Sequence, residues 1–339
     1  MKVNIWYEFK DGPWGGGNQF LKSLRDYFIE IGVNEKDPEK ADVILFNSHH
    51  DIEKLILFKK NFPNKIFVHR VDGPIFKIRN RNIFIDKIIY LLNYFFSDGT
   101  IFQSNWSKEM NYKLGMKRND NEVVIFNAPN PKIFNKEGKK GFEPNKKVSL
   151  IATSWSDNWR KGFDVYKFLD NNLDFSKFKM TFIGNTPIKF DNIVHIKPLN
   201  SNDLSLILKR NDIFLTASRS DTCSNSLIEA LHCGLPAIVL NDGGHPEIIK
   251  GAGEVFDDID DVINKIKKVS ENYYFYQEKI NVPSINEVGN FYFKFIEDIF
   301  NKCQAGDYKI KKLKLFKFIY IYVIIFFVNL KKKIIKCLK

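Results

Sequence analysis

Residues 218–247 read SRSDTCSNSLIEALHCGLPAIVLNDGGHPE, and the rest of the chain is understood outward from this stretch. Residues 237–240 are a short apolar run of the kind that makes a buried strand. Asp221 precedes a helical pattern over 224–232, whose first turn is Ser224, Asn225 and Ser226. A helix N-terminus offers free N–H groups and the positive end of a dipole, which suit a phosphate. Glu229 lies about one and a half turns further in, at roughly 3.6 residues per turn. Its carboxylate can face the same site and accept hydrogen bonds from ribose hydroxyls. After the strand come Asn241, Asp242, Gly243 and Gly244, and two glycines let a backbone approach a ligand closely. His245 sits in that turn within reach of the same ligand, and Pro246 opens a short helix. The same residues also fit a capped helix followed by an ordinary strand and turn, since Asp and Ser cap many helices.

The flanking sequence supplies the context. Short apolar runs at 3–7, 43–46, 66–70, 99–103 and 122–126 alternate with helical patterns such as 18–31, where Phe20, Leu21, Leu24 and Phe28 share a face. A polar, Lys- and Gly-rich stretch over 135–147 reads as a linker. The alternation then restarts, with strands expected at 149–152, 180–183, 193–196, 213–216 and 237–240. Such alternation predicts parallel sheets covered by helices. Two Rossmann-like halves facing across a cleft are expected, with ligands at the carboxyl ends of strands. The divisions expected are 1–138, 146–285, a helix over 286–305 crossing back to the first half, and a tail over 306–339.

Composition narrows the function classes. Of the net charge of +12, the tail over 306–339 carries +9, from ten lysines against one aspartate. The other 305 residues carry only +3, so the body offers no support for a nucleic-acid groove. The four cysteines, 223, 233, 303 and 337, show neither paired CxxC spacing nor disulfide-scaffold density. Residues 1–10 have no apolar signal-peptide core. The expected location is therefore the cytoplasm or the cytoplasmic face of a membrane.

Three further segments follow strands. Residues 153–163 read TSWSDNWRKGF, and Arg160 and Lys161 place two cations just after a strand, where they could meet an anionic ligand. A solvated Arg–Lys pair at a helix start is the plainer alternative. Residues 13–18 read PWGGGN. Here Gly16 and Gly17 permit close backbone approach to donor or acceptor, and Asn18 can cap the following helix. A flexible turn would look the same. Residues 69–73 read HRVDG. Asp72 either binds acceptor hydroxyls or closes a turn with Gly73, and His69 is either a site residue or a hydrogen-bonded structural histidine.

These motifs together resemble the retaining glycosyltransferases of the GT-B fold, in particular family 4 (GT4). The resemblance covers roughly residues 1–300. It is carried by Asp221 and Glu229, two acidic residues separated by seven, followed by Ala230, Cys233-Gly234, Pro236 and the Gly243-Gly244-x-Pro-Glu247 turn. The resemblance implies that Glu229 contacts the donor ribose and that Asp221, in a position usually held by Glu, contacts the transferred sugar near its reacting carbon. It implies that Lys161 neutralises the leaving diphosphate. An Arg often stands five residues before that Lys; here the position is Ser156, and Arg160 is the substitute. The glycine loop with Gly16 and Gly17 has a counterpart in the family, and His69 matches a His that lies beside the transferred sugar.

No DxD-like pair follows a strand and no His/Cys cluster has ligand spacing, so no metal is expected. No bound cofactor is expected either; a UDP- or GDP-sugar would be a substrate. The apolar run 318–328 is 11 residues long, against about 20 for a spanning helix, and lysines flank it. An in-plane anchor on an anionic membrane surface is expected, with a helix packed on the enzyme body as the alternative. The expected function is metal-independent, retaining transfer of a hexose-type sugar to a glycan or lipid-linked acceptor in surface polysaccharide or glycoconjugate biosynthesis. A catalytically inactive membrane scaffold or sugar-binding module, or a nucleotide-sugar epimerase on the same fold, would share much of this sequence.

Overall fold

Among the described residues, eleven strands build two wholly parallel sheets. The computed structural model describes residues 1–12, 15–79 and 83–337, with side chains of residues 79 and 328–337 left undescribed. The first sheet has the order β1 (Val3–Trp6), β2 (Val43–Asn47), β3 (Ile66–Val71), β4 (Gly99–Phe102) and β5 (Glu122–Val124). The second contains β6 (Val148–Ser154), β7 (Phe178–Gly184), β8 (Val194–Ile196), β9 (Ile213–Thr216), β10 (Ala237–Leu240) and β11 (Gly253–Phe256). Its order is β11-β10-β9-β6-β7-β8. Helices connect the successive strands within each sheet except β7 and β8, which residues 185–193 join without one. All five residues of β2 and all six of β3 are buried, because crossover helices leave a parallel strand no wet face.

The ten strands expected from the apolar runs are present; 213–216 and 237–240 match at both ends, and the other ends differ by no more than two residues. The eleventh, Gly253–Phe256, was not anticipated. It contains Gly253 and Glu254, pairs only with β10, and is half-exposed at its centre, so it shows no continuous apolar run.

The chain divides into two compact units. The first comprises Met1–Phe9, Arg25–Phe126 and Gly289–Lys339; the second comprises Lys10–Leu24 and Asn127–Val288. The stretch expected to be a linker is packed onto the second unit: Phe142 stacks on Tyr273 with centroids 4.1 Å apart, and Lys140 N–H donates to the Lys209 carbonyl. The core of the second unit gathers Leu150, Phe182, Leu215 and Ile238 from the sheet with Phe163, Tyr166 and Ile266 from helices. In the first unit, Ile44, Phe46 and Phe67 of the sheet pack with Leu55, Leu92 and Phe96. Leu313, Ile321 and Ile325 from the far end of the chain join the same cluster.

Candidate active site at the carboxyl end of the second sheet

The second sheet reverses direction between β6 and β9. From β6 the chain builds outward through β7 and β8, then returns to β9 and builds the other way. Neighbouring loops diverge at such a point and leave a crevice at the strand ends. The β6 loop holds Lys161 and the β9 loop holds Asp221, so two residues 60 positions apart meet there. Lys161 Nζ lies 2.9 Å from Asp221 Oδ2 and 3.1 Å from Ser218 Oγ. Asn158 caps the short 3-10 turn Trp159–Lys161 by accepting from Arg160 N–H at 2.9 Å, which fixes the direction of Lys161.

Burial works against ionisation of Asp221, but the Lys161 charge, then His245 and hydrogen bonds from Lys161 and Ser218, hold its carboxyl below the usual range. His245 is fully buried, and burial pushes its imidazole below the ordinary value despite nearby Asp221. Its Nδ1 lies 3.4 Å from the Leu240 carbonyl, while Nε2 has no hydrogen-bond partner among the described residues. Arg160 donates from Nη2 to Ser220 Oγ at 2.9 Å, and its buried Nε also lacks a partner there.

The helix Asn225–His232 starts four residues after Asp221. Ser224 occupies the N-cap but makes no side-chain cap bond; its Oγ lies 3.2 Å from Ser226 Oγ. The first-turn N–H groups are therefore not claimed by the cap residue. Glu229 projects from the next turn with no hydrogen-bond partner among the described residues, and burial pushes its carboxyl from the ordinary 4.5 to about 8. A half-buried carboxyl with no donor among them is a costly arrangement.

The double glycine turn has a different part from the one expected. Gly244 N–H donates to the Asp221 carbonyl at 2.8 Å, and Gly243 N–H is taken by Asp242 Oδ1 at 2.7 Å. Neither is free for a ligand. Gly243 has φ 68°, and a Cβ there would stand 2.2 Å from the Asp221 carbonyl oxygen. The turn thus clamps the Asp221 loop, with Asp242 accepting from Ser220 N–H at 2.9 Å.

The glycine loop meets this site within the second unit. A Cβ on Gly16 would lie 2.3 Å from Asn225 Nδ2, so the start of helix Gly15–Glu30 abuts the start of Asn225–His232. Around Gly17 there is open space. Asn18 is not the helix cap expected of it: it lies inside the helix, where its side chain bonds both N–H and C=O of Lys10 at 3.0 and 2.9 Å. Pro13 and Trp14 of the loop lie outside the described residues. Asn127, which no motif flagged, donates from Nδ2 to Asn225 Oδ1 at 3.1 Å and from its backbone N–H to Cys223 Sγ at 3.4 Å.

His69 and Asp72 belong to the first unit. His69 is fully buried on β3, stacked on Phe46 with centroids 4.1 Å apart. Its Nε2 pairs with the Ser48 carbonyl at 3.0 Å and its Nδ1 with Asn93 Nδ2 at 3.3 Å. Burial pushes the imidazole down to about 3. With no exposed atom and both nitrogens engaged, His69 is a core residue, and its expected place beside a sugar is corrected. Asp72 joins a network at the ends of β2, β3 and β4. Fully buried Arg70 donates to Asp72 Oδ1 at 2.9 Å, Asn47 Oδ1 at 2.5 Å, Gln103 Oε1 at 2.6 Å and Tyr292 Oη at 3.1 Å. Asn47 and Gln103 also donate to Asp72. Among the described residues, no three His, Cys, Asp or Glu are grouped to hold a metal ion.

Comparison with known proteins agrees with this geometry. Residues 188–281 match the family described as glycosyl transferases group 1. No curated protein matches the sequence. Sucrose-phosphate synthase from Thermosynechococcus elongatus is similar in structure, with TM-score 0.69 and 11% identity over 89% of this chain and 100% of that one. The Anabaena protein HepE, solved with UDP-glucose, gives TM-score 0.65 and 11% identity over 90% and 100%. The lipopolysaccharide outer core galactosyltransferase WaaB gives 0.66 and 13% over 88% and 99%. Residues 188–281 thus match glycosyl transferases group 1, and the chain as a whole shares the GT-B fold of these structures.

Proposed function

We propose that the chain moves a hexose-type sugar from a UDP- or GDP-sugar to a glycan or lipid-linked acceptor, without a metal ion and with retention of configuration. The setting would be surface polysaccharide or glycoconjugate assembly at the cytoplasmic face of a membrane. The observation that carries the reading is the Lys161–Asp221 pair at the sheet reversal, beside a helix start with no side-chain cap bond and the Glu229 carboxyl, whose pKa burial raises. These groups match the parts of a nucleoside diphosphate sugar. The diphosphate takes Lys161 and the N–H groups at Ser224, Asn225 and Ser226. The ribose hydroxyls donate to Glu229, and Asp221 addresses the sugar. Arg160 and His245, with orphaned buried nitrogens, add donors nearby.

In the transfer, the bond from the sugar's anomeric carbon to the phosphate oxygen breaks while the acceptor oxygen bonds to the same carbon. The acceptor proton passes to the departing phosphate oxygen. Lys161 stabilises the charge that develops there, the role a divalent cation plays elsewhere. The test is a panel of nucleotide-sugars with purified protein, with and without chelator, and NMR assignment of the product anomer. Release of nucleoside diphosphate with a retained glycoside, insensitive to chelator, is expected. An inverted anomer would overturn retention, and an isomerised nucleotide-sugar would favour the epimerase.

Two variants probe the donor site. Glu229→Gln is expected to weaken donor binding by about 1–3 kcal/mol. In the wild type, hydroxyls donating to Glu229 favour its ionised form, so binding releases a proton. Affinity should therefore rise with pH up to about 8 and level off above it. The Gln variant should lose that rise, and calorimetry in two pH series checks it. Gly16→Ala would drive Asn225 from its place against Asn127, at an expected cost of about tenfold in nucleotide affinity. Unchanged affinity would separate the glycine loop from the donor site.

A further inference from the structure

The C-terminal helix Leu315–Cys337 is held to the first unit by one face only. Ile321 and Ile325 are buried, and Phe318 and Tyr322 pack partly buried beside them. These positions recur at helical spacing and form one stripe. On the other side Leu315, Phe316, Ile319, Val323, Phe326 and Phe327 are 45–67% exposed. Single exposed apolar residues are ordinary, but six along one helix form a contiguous patch that asks for a partner.

Lysines fence this patch. Lys317 Nζ lies 4.9 Å from the Phe95 ring centroid and Lys60 Nζ 4.5 Å from that of Phe318. On the neighbouring helix Phe84–Phe96, Lys117 covers half-exposed Tyr94 at 4.4 Å. From Tyr308 to the last residue the sequence contains no Asp or Glu. The sequence adds lysines at 331, 332, 333 and 336. No helix among the described residues is long and apolar enough to cross a membrane.

We infer that the outward face of this helix lies in the interface of an anionic bilayer while its inward face remains part of the protein core. An apolar stripe flanked by lysines is the composition that binds in the plane of such a surface. Acidic headgroups supply the countercharge that the tail lacks. A second copy of the chain fits less well, because two-fold pairing would bring two lysine-only tails together. The packed-helix alternative holds for the inward face, and the anchor is assigned to the outward one. This inference rests on the membrane placement proposed above and not on the sugar chemistry.

The test uses the full-length protein and vesicles of phosphatidylcholine with or without phosphatidylglycerol. Wild type should sediment with the phosphatidylglycerol vesicles and come off in high salt. A Phe316→Ser/Phe326→Ser/Phe327→Ser variant should lose at least about tenfold in partitioning, with nucleotide affinity unchanged. As a second readout, Phe326→Trp should show a blue-shifted indole emission, relative to wild type, only on the anionic vesicles. If wild type ignores phosphatidylglycerol, the membrane placement itself falls. If wild type binds but the triple variant binds equally, or the Phe326→Trp emission stays unshifted, the face assignment falls and lysines alone act. A lipid-free dimer abolished by the triple variant, without vesicle binding, would make the occupant a second copy.

Discussion

Lys161→Ala is expected to lower kcat by about 10²–10³-fold, the loss typical when one donor aimed at developing negative charge is removed. Lys161 does two things at once in the site. It sits 2.9 Å from Asp221 and is the strongest influence holding that carboxyl ionised against its burial. Removing it therefore leaves a half-buried carboxylate with less compensation, and the Asp221 pKa should rise. A diphosphate arriving in the variant would meet no ammonium and an acid that titrates nearer neutrality. Steady-state rates with saturating donor check the first effect, and the pH-rate profile checks the second. Lys161→Arg should recover little, because a planar fork cannot replace a compact ammonium bonded to both Ser218 and Asp221. A variant with near-normal kcat would remove Lys161 from the chemistry.

Arg70→Met is expected to cost about 3–5 kcal/mol of stability, the penalty for breaking a buried ion pair from one side. The guanidinium has no exposed surface and ties the ends of β2, β3 and β4 to Tyr292. Asp72 would keep its bonds from Asn47 and Gln103 but lose its cation. Burial alone would raise the Asp72 carboxyl, and Arg70 is the main influence that brings it below the ordinary range. The sign follows directly. A depressed pKa in the folded state adds stability above the unfolded value and loses it as pH falls through the folded one. Wild type should therefore lose part of its stability in acid, and Arg70→Met should lose less. Urea titrations at neutral and acidic pH measure both, and adding Asp72→Asn should recover part of the deficit. Equal midpoints for wild type and Arg70→Met would show that the network holds nothing together.

The sheets were legible because buried parallel strands are written as unbroken apolar runs. VILFN at 43–47 needs no partner to be recognised. GEVF at 253–256 fails that test because an edge strand is half wet. The Lys161–Asp221 meeting was also legible in outline, since both residues follow strands. What sequence could not show was the second role of each group. Gly243 and Gly244 look like a ligand cradle, yet their N–H groups are taken by Asp221 and Asp242 across a turn. His69 looks like a site residue because it ends an apolar run. Its fate depends on Ser48 and Asn93, which are 21 and 24 positions away. Asn127 carries no motif at all, and only its bond to Asn225 reveals it. Partners distant in sequence decide whether a polar group is a tool or a brace, and a single chain read in order does not display them.

The first unit is assembled from both ends of the chain. Phe46 and Phe67 emerge early in synthesis, but Leu313, Ile321 and Ile325, which join their cluster, emerge much later. The second unit's sheet is complete by residue 256 and can form in the meantime. A ribosome making this protein therefore holds the first sheet with an open seam until residues 313–325 have emerged. Synthesis must pass that segment before the first unit can close, so a stop upstream of residue 313 leaves exposed apolar surface rather than a shortened but closed fold.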